Sequence, residues 1–321
     1  TGTTYGERVP KKSCGVLRPG SPVAEKYEFI ESCKTDDAKY AYPVKKMCTW
    51  LDVSASGFFA WKKRLPSSSA VRRERLAALV TEAFTPSDET YGYRRIHAQL
   101  ARWGVPAGPE LVRDIMRDLG LVACQPRPWR VSLTEPDGRD HRIPDLVGRD
   151  VTADAPGRKL VGDITYIPTW EGWLSLATVL DCHTRMVIGY ATGDNYQTPL
   201  IQAALRDAAD RNQLEPGAIF HSDRGSNDTS HEFAATVTEL GLRHSVGRTG
   251  ICYDNAMAES FFAALKNERV HRTVYPTREH ARRDVVRYIE FWYKENRLHS
   301  SLDYRTPREV LDEWNNKQEA A

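Results

Sequence analysis

Apolar positions along the chain change period part-way. Between Tyr27 and about Arg64 they recur at helical intervals, with one helix reaching Leu51 and a second opening at Ser54-Ala55-Ser56-Gly57 under the aromatic residues Phe58, Phe59 and Trp61. Pro66 and the Ser67-Ser68-Ser69 run break the pattern, and a helix over 70–84 follows with Leu76, Leu79, Val80 and Ala83 on one face. Ile96 and Leu100 are four apart, as a helix requires, and Gly104 stops that helix. The next helix, over 109–119, turns Leu111, Val112, Ile115, Met116 and Leu119 inward and has Gly120 as its C-cap. Two short helices across a Gly-Pro turn suit a helix-turn-helix or a plain helical hairpin.

Prolines at 126, 128, 136, 144 and 156 interrupt the next stretch, which reads as a linker. Beyond it, short β-branched runs alternate with helical ones: strands over 158–168, 173–181 and 185–192, a helix over 198–212, a strand over 218–222, a helix over 230–240, a strand over 243–246 and a helix over 255–269 with Asp254 as N-cap. Such alternation predicts an α/β sandwich. A basic helix over 277–293 follows, whose Tyr288, Phe291 and Trp292 are expected to pack on the core. The organisation read this way is a disordered lead-in (1–22), a helical region (23–121), a linker (122–157), an α/β core (158–270) and a helical tail (271–321).

Three stretches of the core each deliver one carboxylate. Asp163 lies in KLVGDITYI, Asp223 follows the apolar run of AIFHSDRG, and Glu259 lies in the helical DNAMAESFF. An ionised Asp in a buried strand is costly unless a cation or hydrogen bonds compensate it. Three such oxygens without a His or Cys cluster suit a hard cation, Mg²⁺ or Mn²⁺. Lys266 follows Glu259 by seven positions, two helical turns, and so shares its face. His221 and Asn255, beside these acids in sequence, are candidates for orienting them. Glycines at 225, 247 and 250 allow close backbone approach; Arg248 among them is a candidate phosphate contact, and the loop over 247–254 a candidate mobile element or a plain connection.

The phrases GDITYI, HSDRGSN and CYDNAMAESFFAALKNE, with 59 residues between Asp163 and Asp223 and 35 between Asp223 and Glu259, resemble the DDE transposases and retroviral-type integrases, most closely the second-frame (OrfB-type) transposases of the bacterial IS3 family. The segment over 42–64 and the tail over 293–307 resemble that family as well. The resemblance implies an RNase H-like integrase core, a mixed five-stranded sheet with flanking helices, preceded by a helix-turn-helix DNA-binding region. It implies cleavage and strand transfer of DNA by Asp163, Asp223 and Glu259 around a pair of Mg²⁺ or Mn²⁺ ions, with double-stranded DNA (terminal repeats and target) as partner, a homo-oligomer on that DNA and an upstream-frame protein as further partner. An RNase H-like nuclease acting on RNA and an inactive DNA-binding protein are the alternatives.

Charge agrees with a division of labour: residues 1–150 carry about +6, 151–270 about −5 and 271–321 about +1. Lys62, Lys63 and Arg64 at one helix end, and Arg113 and Arg117 four apart on another, are candidate DNA contacts or solvated charges. The six cysteines form no CxxC pair, so neither a zinc site nor the zinc module of retroviral integrases is indicated, and free thiols are expected. No apolar run reaches the ~20 residues of a membrane span and no signal-peptide core is seen, so the bacterial cytoplasm, in association with the nucleoid, is the expected location. Residue 1 is Thr, which fits a fragment, a processed product or the continuation of an upstream frame.

Overall fold

The structure, a computed structural model, describes residues 20–35, 42–124, 143–148, 150–211, 213–222, 231–246 and 256–320. By its contacts the chain divides into two units, Thr1–Arg75 and Leu76–Ala321. The sequence pattern groups 23–121 together instead, because both halves of that stretch are helical and period alone cannot show which helices share a core.

In the first unit, α1 (Val23–Thr35), α2 (Val44–Trp50) and α3 (Ala55–Lys63) close around Tyr27, Ile30, Met47, Cys48 and Phe58. Ser54 caps α3, its hydroxyl accepting from the Gly57 amide at 3.2 Å, so the chain turns where the Ser-Ala-Ser-Gly phrase predicts. The division between the units falls within α4 (Ser68–Phe84).

In the second unit, Leu76, Val80, Ala83 and Phe84 of α4 pack with Ile96 and Leu100 of α5 (Tyr93–Arg102) and with Val112, Ile115 and Met116 of α6 (Pro109–Asp118). Leu298, from near the far end of the chain, completes this cluster. Gly120 closes α6 at φ +66°, the left-handed conformation expected of its C-cap.

The sheet has five strands, β1 (Lys159–Thr169), β2 (Gly172–Asp181), β3 (Val187–Gly193), β4 (Ile219–Ser222) and β5 (Arg243–Val246), in the order β3-β2-β1-β4-β5. The first three form an antiparallel meander; β4 runs parallel to β1, and β5 parallel to β4. One face carries Leu160, Ala177 and Val179 against α7 (Thr198–Asp210) and α8 (His231–Glu239). The other carries Val161, Ile167, Leu174, Leu176 and Leu180 against α9 (Ala256–Glu268) and α10 (Arg278–Arg287). A sheet buried on both faces explains why its strands read as continuous apolar runs.

After α10 the helix widens into a π-helical turn, Tyr288–Tyr293. Tyr288, Ile289 and Tyr293 are buried there and Trp292 is partly buried, but Phe291 is 68% exposed, against the expectation that it packs on the core. The wider turn brings 288, 289, 292 and 293 to one side and leaves 291 opposite. The last helix, α11 (Pro307–Glu319), opens with a reciprocal cap: Thr306 Oγ1 accepts from Glu309 N at 3.2 Å, and Glu309 accepts from Thr306 N at 2.8 Å.

Two strand glycines make room for the layers. Phe220 of β4 lies where a side chain at Gly162 would be, its Cε2 2.7 Å from the position of a Cβ. At Gly189 of β3 a Cβ would stand 2.7 Å from both the backbone N and the Cβ of Ala208 and would also meet the Ala204 carbonyl of α7. Backbone cannot yield as a flexible side chain can, so Gly189→Ala should destabilise the second unit by about 1–3 kcal/mol. Gly193→Ala, whose Cβ meets the flexible Leu200 side chain at 3.2 Å and the Asn195 backbone no nearer than 3.5 Å, should cost less. Thermal melting of both variants checks this, and equal melting points would remove the α7–β3 contact as the cause.

Candidate active site

Asp163 lies on β1 between Gly162 and Ile164, half-buried, opposite Thr178 of β2. Alternation puts it on the same face as Val161 and Ile167, the face that α9 covers. Its Oδ1 accepts a hydrogen bond from the Ile164 amide at 2.7 Å. Pairing of β1 with β4 ends at Val161 and His221, so Asp163 stands just past the point where the two parallel strands part. Beyond the carboxyl end of a parallel strand is where open α/β sheets place their sites.

On α9, Met257, Ala258, Phe261, Phe262 and Leu265 are buried in the core that includes Val161, while Glu259 in the first turn is exposed. Lys266 is half-buried on the same helical stripe as Glu259. Burial holds its ammonium below the usual lysine range, and the nearby Asp163 carboxylate pulls it back up. The structure thus brings Asp163 of β1 and Lys266 of α9 within electrostatic reach, with Glu259 on the α9 stripe that carries Lys266. Asp223, Arg248 and Asn255, with Asp254 and the loop over 247–254, lie outside the described residues. Among the described residues no three potential metal ligands gather.

His221 is buried in β4, its Nδ1 2.8 Å from Ser245 Oγ, which also accepts from the Leu146 amide at 2.9 Å. That places it in the sheet interior, joining β4 to β5. Arg113 and Arg117 are exposed on α6 and paired along the helix with Glu110 and, at 3.0 Å, Asp114. In the first unit Lys62 is paired with Glu31 at 2.6 Å, while Lys63 and Arg64 are exposed. Exposed pairs contribute little, so a phosphate can compete for these cations.

One group behind the site escapes sequence reasoning. Glu268, the last residue of α9, is 5% exposed and accepts from Arg297 Nε at 2.9 Å and Nη2 at 2.6 Å, from the Tyr288 hydroxyl at 2.9 Å and from Trp292 Nε1 at 3.3 Å. Arg95 Nη1 of α5 lies 4.0 Å away. Arg95 Nε also donates to Leu298 O at 3.0 Å, and Tyr91 is bonded at 2.8 Å to both Asn296 O and Leu298 N. Burial opposes the charge of Glu268, but Arg297 and Arg95 overcome it and hold the carboxyl below its ordinary range. The sequence does carry one signal: an acid in the last turn of a helix opposes the helix dipole and needs a partner.

The chain matches an HTH-like domain over residues 71–129 and integrase core domains over 153–252 and 240–307. It is 34% identical over 246 residues to the transposase for insertion sequence element IS904 of Lactococcus lactis subsp. lactis (strain IL1403), covering 77% of this chain and 97% of that protein. It is 35% identical over 280 residues to the transposase InsF for insertion sequence IS3A of Escherichia coli (strain K12), covering 86% of this chain and 94% of that protein. The chain belongs to the IS3 family of transposases. IS3-family membership makes it a polynucleotidyl transferase of DNA transposition, with the expected integrase core behind a helix-turn-helix-like domain. Among solved structures, the simian T-cell lymphotropic virus intasome in complex with PP2A regulatory subunit B56 gamma overlaps at TM-score 0.42 and 15% identity, covering 67% of this chain and 70% of that one. In the IS3-family chain the integrase-core match continues through α10 to residue 307, past the core boundary at 270 that period alone draws.

Breaking a buried ion pair by removing one partner costs about 3–5 kcal/mol. Glu268→Gln should therefore lower the melting point strongly near neutral pH. Because the folded-state carboxyl is held low, its stabilisation is present above the ordinary glutamate pKa of about 4.3 and is lost as pH falls through the folded value. The parent chain should lose stability on acidification from about pH 5 downward, and the variant should lose less over that window. Parallel acid-melting curves for the two proteins would contradict this assignment.

Proposed function

We propose that Asp163, Asp223 and Glu259 form the carboxylate triad with which this chain cleaves the ends of an insertion sequence and joins them to target DNA. The observation that carries the reading is that Asp163 and Lys266 lie within electrostatic reach across the α9–β1 packing, with Glu259 on the Lys266 stripe, in a chain of this family. The donor set fits a hard divalent cation: these are carboxylate oxygens, presented from a strand and a helix with no thiolate among them. A pair of Mg²⁺ or Mn²⁺ ions held there would supply Lewis-acid stabilisation of the entering and leaving oxygens.

The chain's own groups then have separate tasks. The carboxylates of Asp163, Asp223 and Glu259 would hold the ions. Lys266, an ammonium that cannot ligate a cation, meets a non-bridging phosphate oxygen and sets the scissile phosphate beside Asp163. Water attacks phosphorus in the cleavage step, the P–O3′ bond breaks, and the strand keeps a 3′-OH. In joining, that 3′-OH attacks a target phosphodiester and a target 3′-OH leaves. Bonds exchange without a covalent protein intermediate, so no Ser or Tyr nucleophile is assigned. His221 and Asn255 orient the neighbouring acids.

Residues 23–121 supply the DNA reading and 158–270 the cutting. Arg113 and Arg117 of α6, Lys62, Lys63 and Arg64 at the end of α3, and Arg248 contact phosphates. Joining two ends calls for a homo-oligomer on DNA, and an upstream-frame protein and a place at the nucleoid complete the picture.

Asp163→Asn, Asp223→Asn and Glu259→Gln should each lower metal-dependent joining of a precut end by at least about a hundredfold, more than loss of an outer partner costs, while leaving end binding in place. Near-parental joining by any one of them removes that residue from the triad, and cleavage of an RNA–DNA hybrid alone would favour the nuclease alternative.

Lys266→Ala removes one charge-assisted bond, about 1.5–3 kcal/mol, and should reduce joining about ten- to hundredfold at sub-saturating DNA. Unchanged activity under those conditions would leave Lys266 a surface lysine.

A further inference from the structure

A cavity of about 210 Å³ opens beside α9, lined by Arg185, Ser260, Arg297, His299 and Ser301 over an apolar floor. Among the described residues no Asp or Glu lines it. Arg185 turns through φ +61° after β2, a left-handed conformation that glycine takes with less strain than any residue bearing a side chain. Its amide donates to Asp181 O at 2.9 Å and its carbonyl accepts from the Tyr293 hydroxyl at 3.0 Å, which fixes the turn. The residue is half-buried, and among the described residues no carboxylate pairs with its guanidinium. A charge partly withdrawn from water and lacking a counter-charge is what a bound anion satisfies.

The local field has the sign an anion needs. His299 is pushed down to about 2, first by burial and then by Arg297, Arg95 and Arg185 acting together. Glu268 balances one of these three guanidiniums, so the surroundings of His299 stay positive although residues 151–270 carry about −5. Arg297 Nη1 lies 3.4 Å from His299 Nε2. A guanidinium can only donate, so Nε2 accepts and the neutral ring carries its proton on Nδ1. Arg185, His299 Nδ1 and the hydroxyls of Ser260 and Ser301 can therefore all donate, and phosphate oxygens accept from such a set.

The cavity is smaller than the ~300–1,000 Å³ of small-molecule pockets, so it takes one group of a larger molecule. Its position says which molecule. Ala256, Glu259, Ser260 and Ala263 form the open face of α9. At about 100° per residue, Glu259 and Lys266 bound one edge of that face, while Ser260 and Ala264, which line the cavity, bound the other. DNA lying across the face from Glu259 meets the cavity one helix width away, roughly 10 Å. We propose that the Arg185 cavity is a second phosphate site, gripping the backbone of the bound DNA on the opposite edge of α9 from Lys266. The placement of the DNA rests on the reading of Glu259 as a site residue.

The test is equilibrium binding of an end duplex by the full chain, read by fluorescence anisotropy across roughly 50–200 mM salt without divalent metal. Arg185→Gln should weaken binding about tenfold and flatten the slope of log K against log salt by about 0.9, the loss of one phosphate contact. Ser301→Asp, which sets an acid beside Arg185, should do the same with the arginine in place, and Arg185→Lys should keep the slope. A neutral methylphosphonate at one backbone position should weaken the parent chain and leave Arg185→Gln unaffected. Melting points of the variants should match the parent. Parental slopes in both Arg185→Gln and Ser301→Asp overturn the proposal, as does the absence of DNA binding by the parent. So does a parent melting point that rises with inorganic phosphate while the DNA slopes stay parental, which would make the cavity a site for small anions. Binding without metal does not call on the triad, so near-parental joining by Glu259→Gln would remove the site reading and leave this measurement standing.

Discussion

A carboxylate buried at the end of α9 is the constraint on which the second unit depends. Glu268 is surrounded by Arg297, Arg95, Tyr288 and Trp292, so three segments far apart in sequence must meet at one point. A charge there is tolerable only when fully paired; with one partner missing it becomes a large penalty. The arrangement therefore fixes the fold more than it adds net stability. It ties the C-terminal end of α9 to the chain over 296–298, and through Tyr91 and Arg95 ties both to α5.

The consequence for function lies in α9 itself. The helix carries Glu259 in its first turn and Glu268 in its last, and it is packed along its length by Met257, Phe261 and Leu265. Motion of the α5–α6 pair would act on the helix that presents Glu259 and Lys266. A second tie runs from Arg102 of α5 to Glu309 of α11, beside the cap of that helix. The helix-turn-helix-like element of the second unit is thus built into the catalytic body rather than hung from it by a linker.

Much of this was legible from residues alone. The strands over 158–168, 173–181 and 218–222 have apolar runs bounded by Gly, Pro or Asp, and β1, β2 and β4 lie within a few residues of them. Asp163 and Lys266 were legible because each breaks its local pattern: an acid in a buried strand, and a lysine on the stripe of an acid two turns back. Glu268 and Arg297 were not, since they lie 29 positions apart and their meaning lies wholly in the pairing. The tail was legible in part: Tyr288 and Trp292 were expected on the core and pack there, whereas the place of Leu298 in the α4–α6 cluster lies wholly in a long-range contact. Phe291 shows the limit of helical period, because one wider turn reverses which aromatic faces out.

The charge distribution adds a physical condition on how DNA can reach such a site. Residues 151–270 carry about −5, so the part that bears the carboxylates repels a phosphate backbone, and α7 and α8 add exposed acids to it. Lys266 is already counted in that net charge, and its basicity is weakened by burial. Attraction at a distance must come from residues 1–150, with about +6, and on the proposed triad attraction at the phosphate would come from cations held by its carboxylates. The two halves of the charge pattern are therefore complementary: the basic half draws DNA near under salt-dependent forces, and the acidic half, on that proposal, would accept it once its carboxylates are neutralised. A chain built this way is poorly suited to cutting DNA that its basic part has not already gathered.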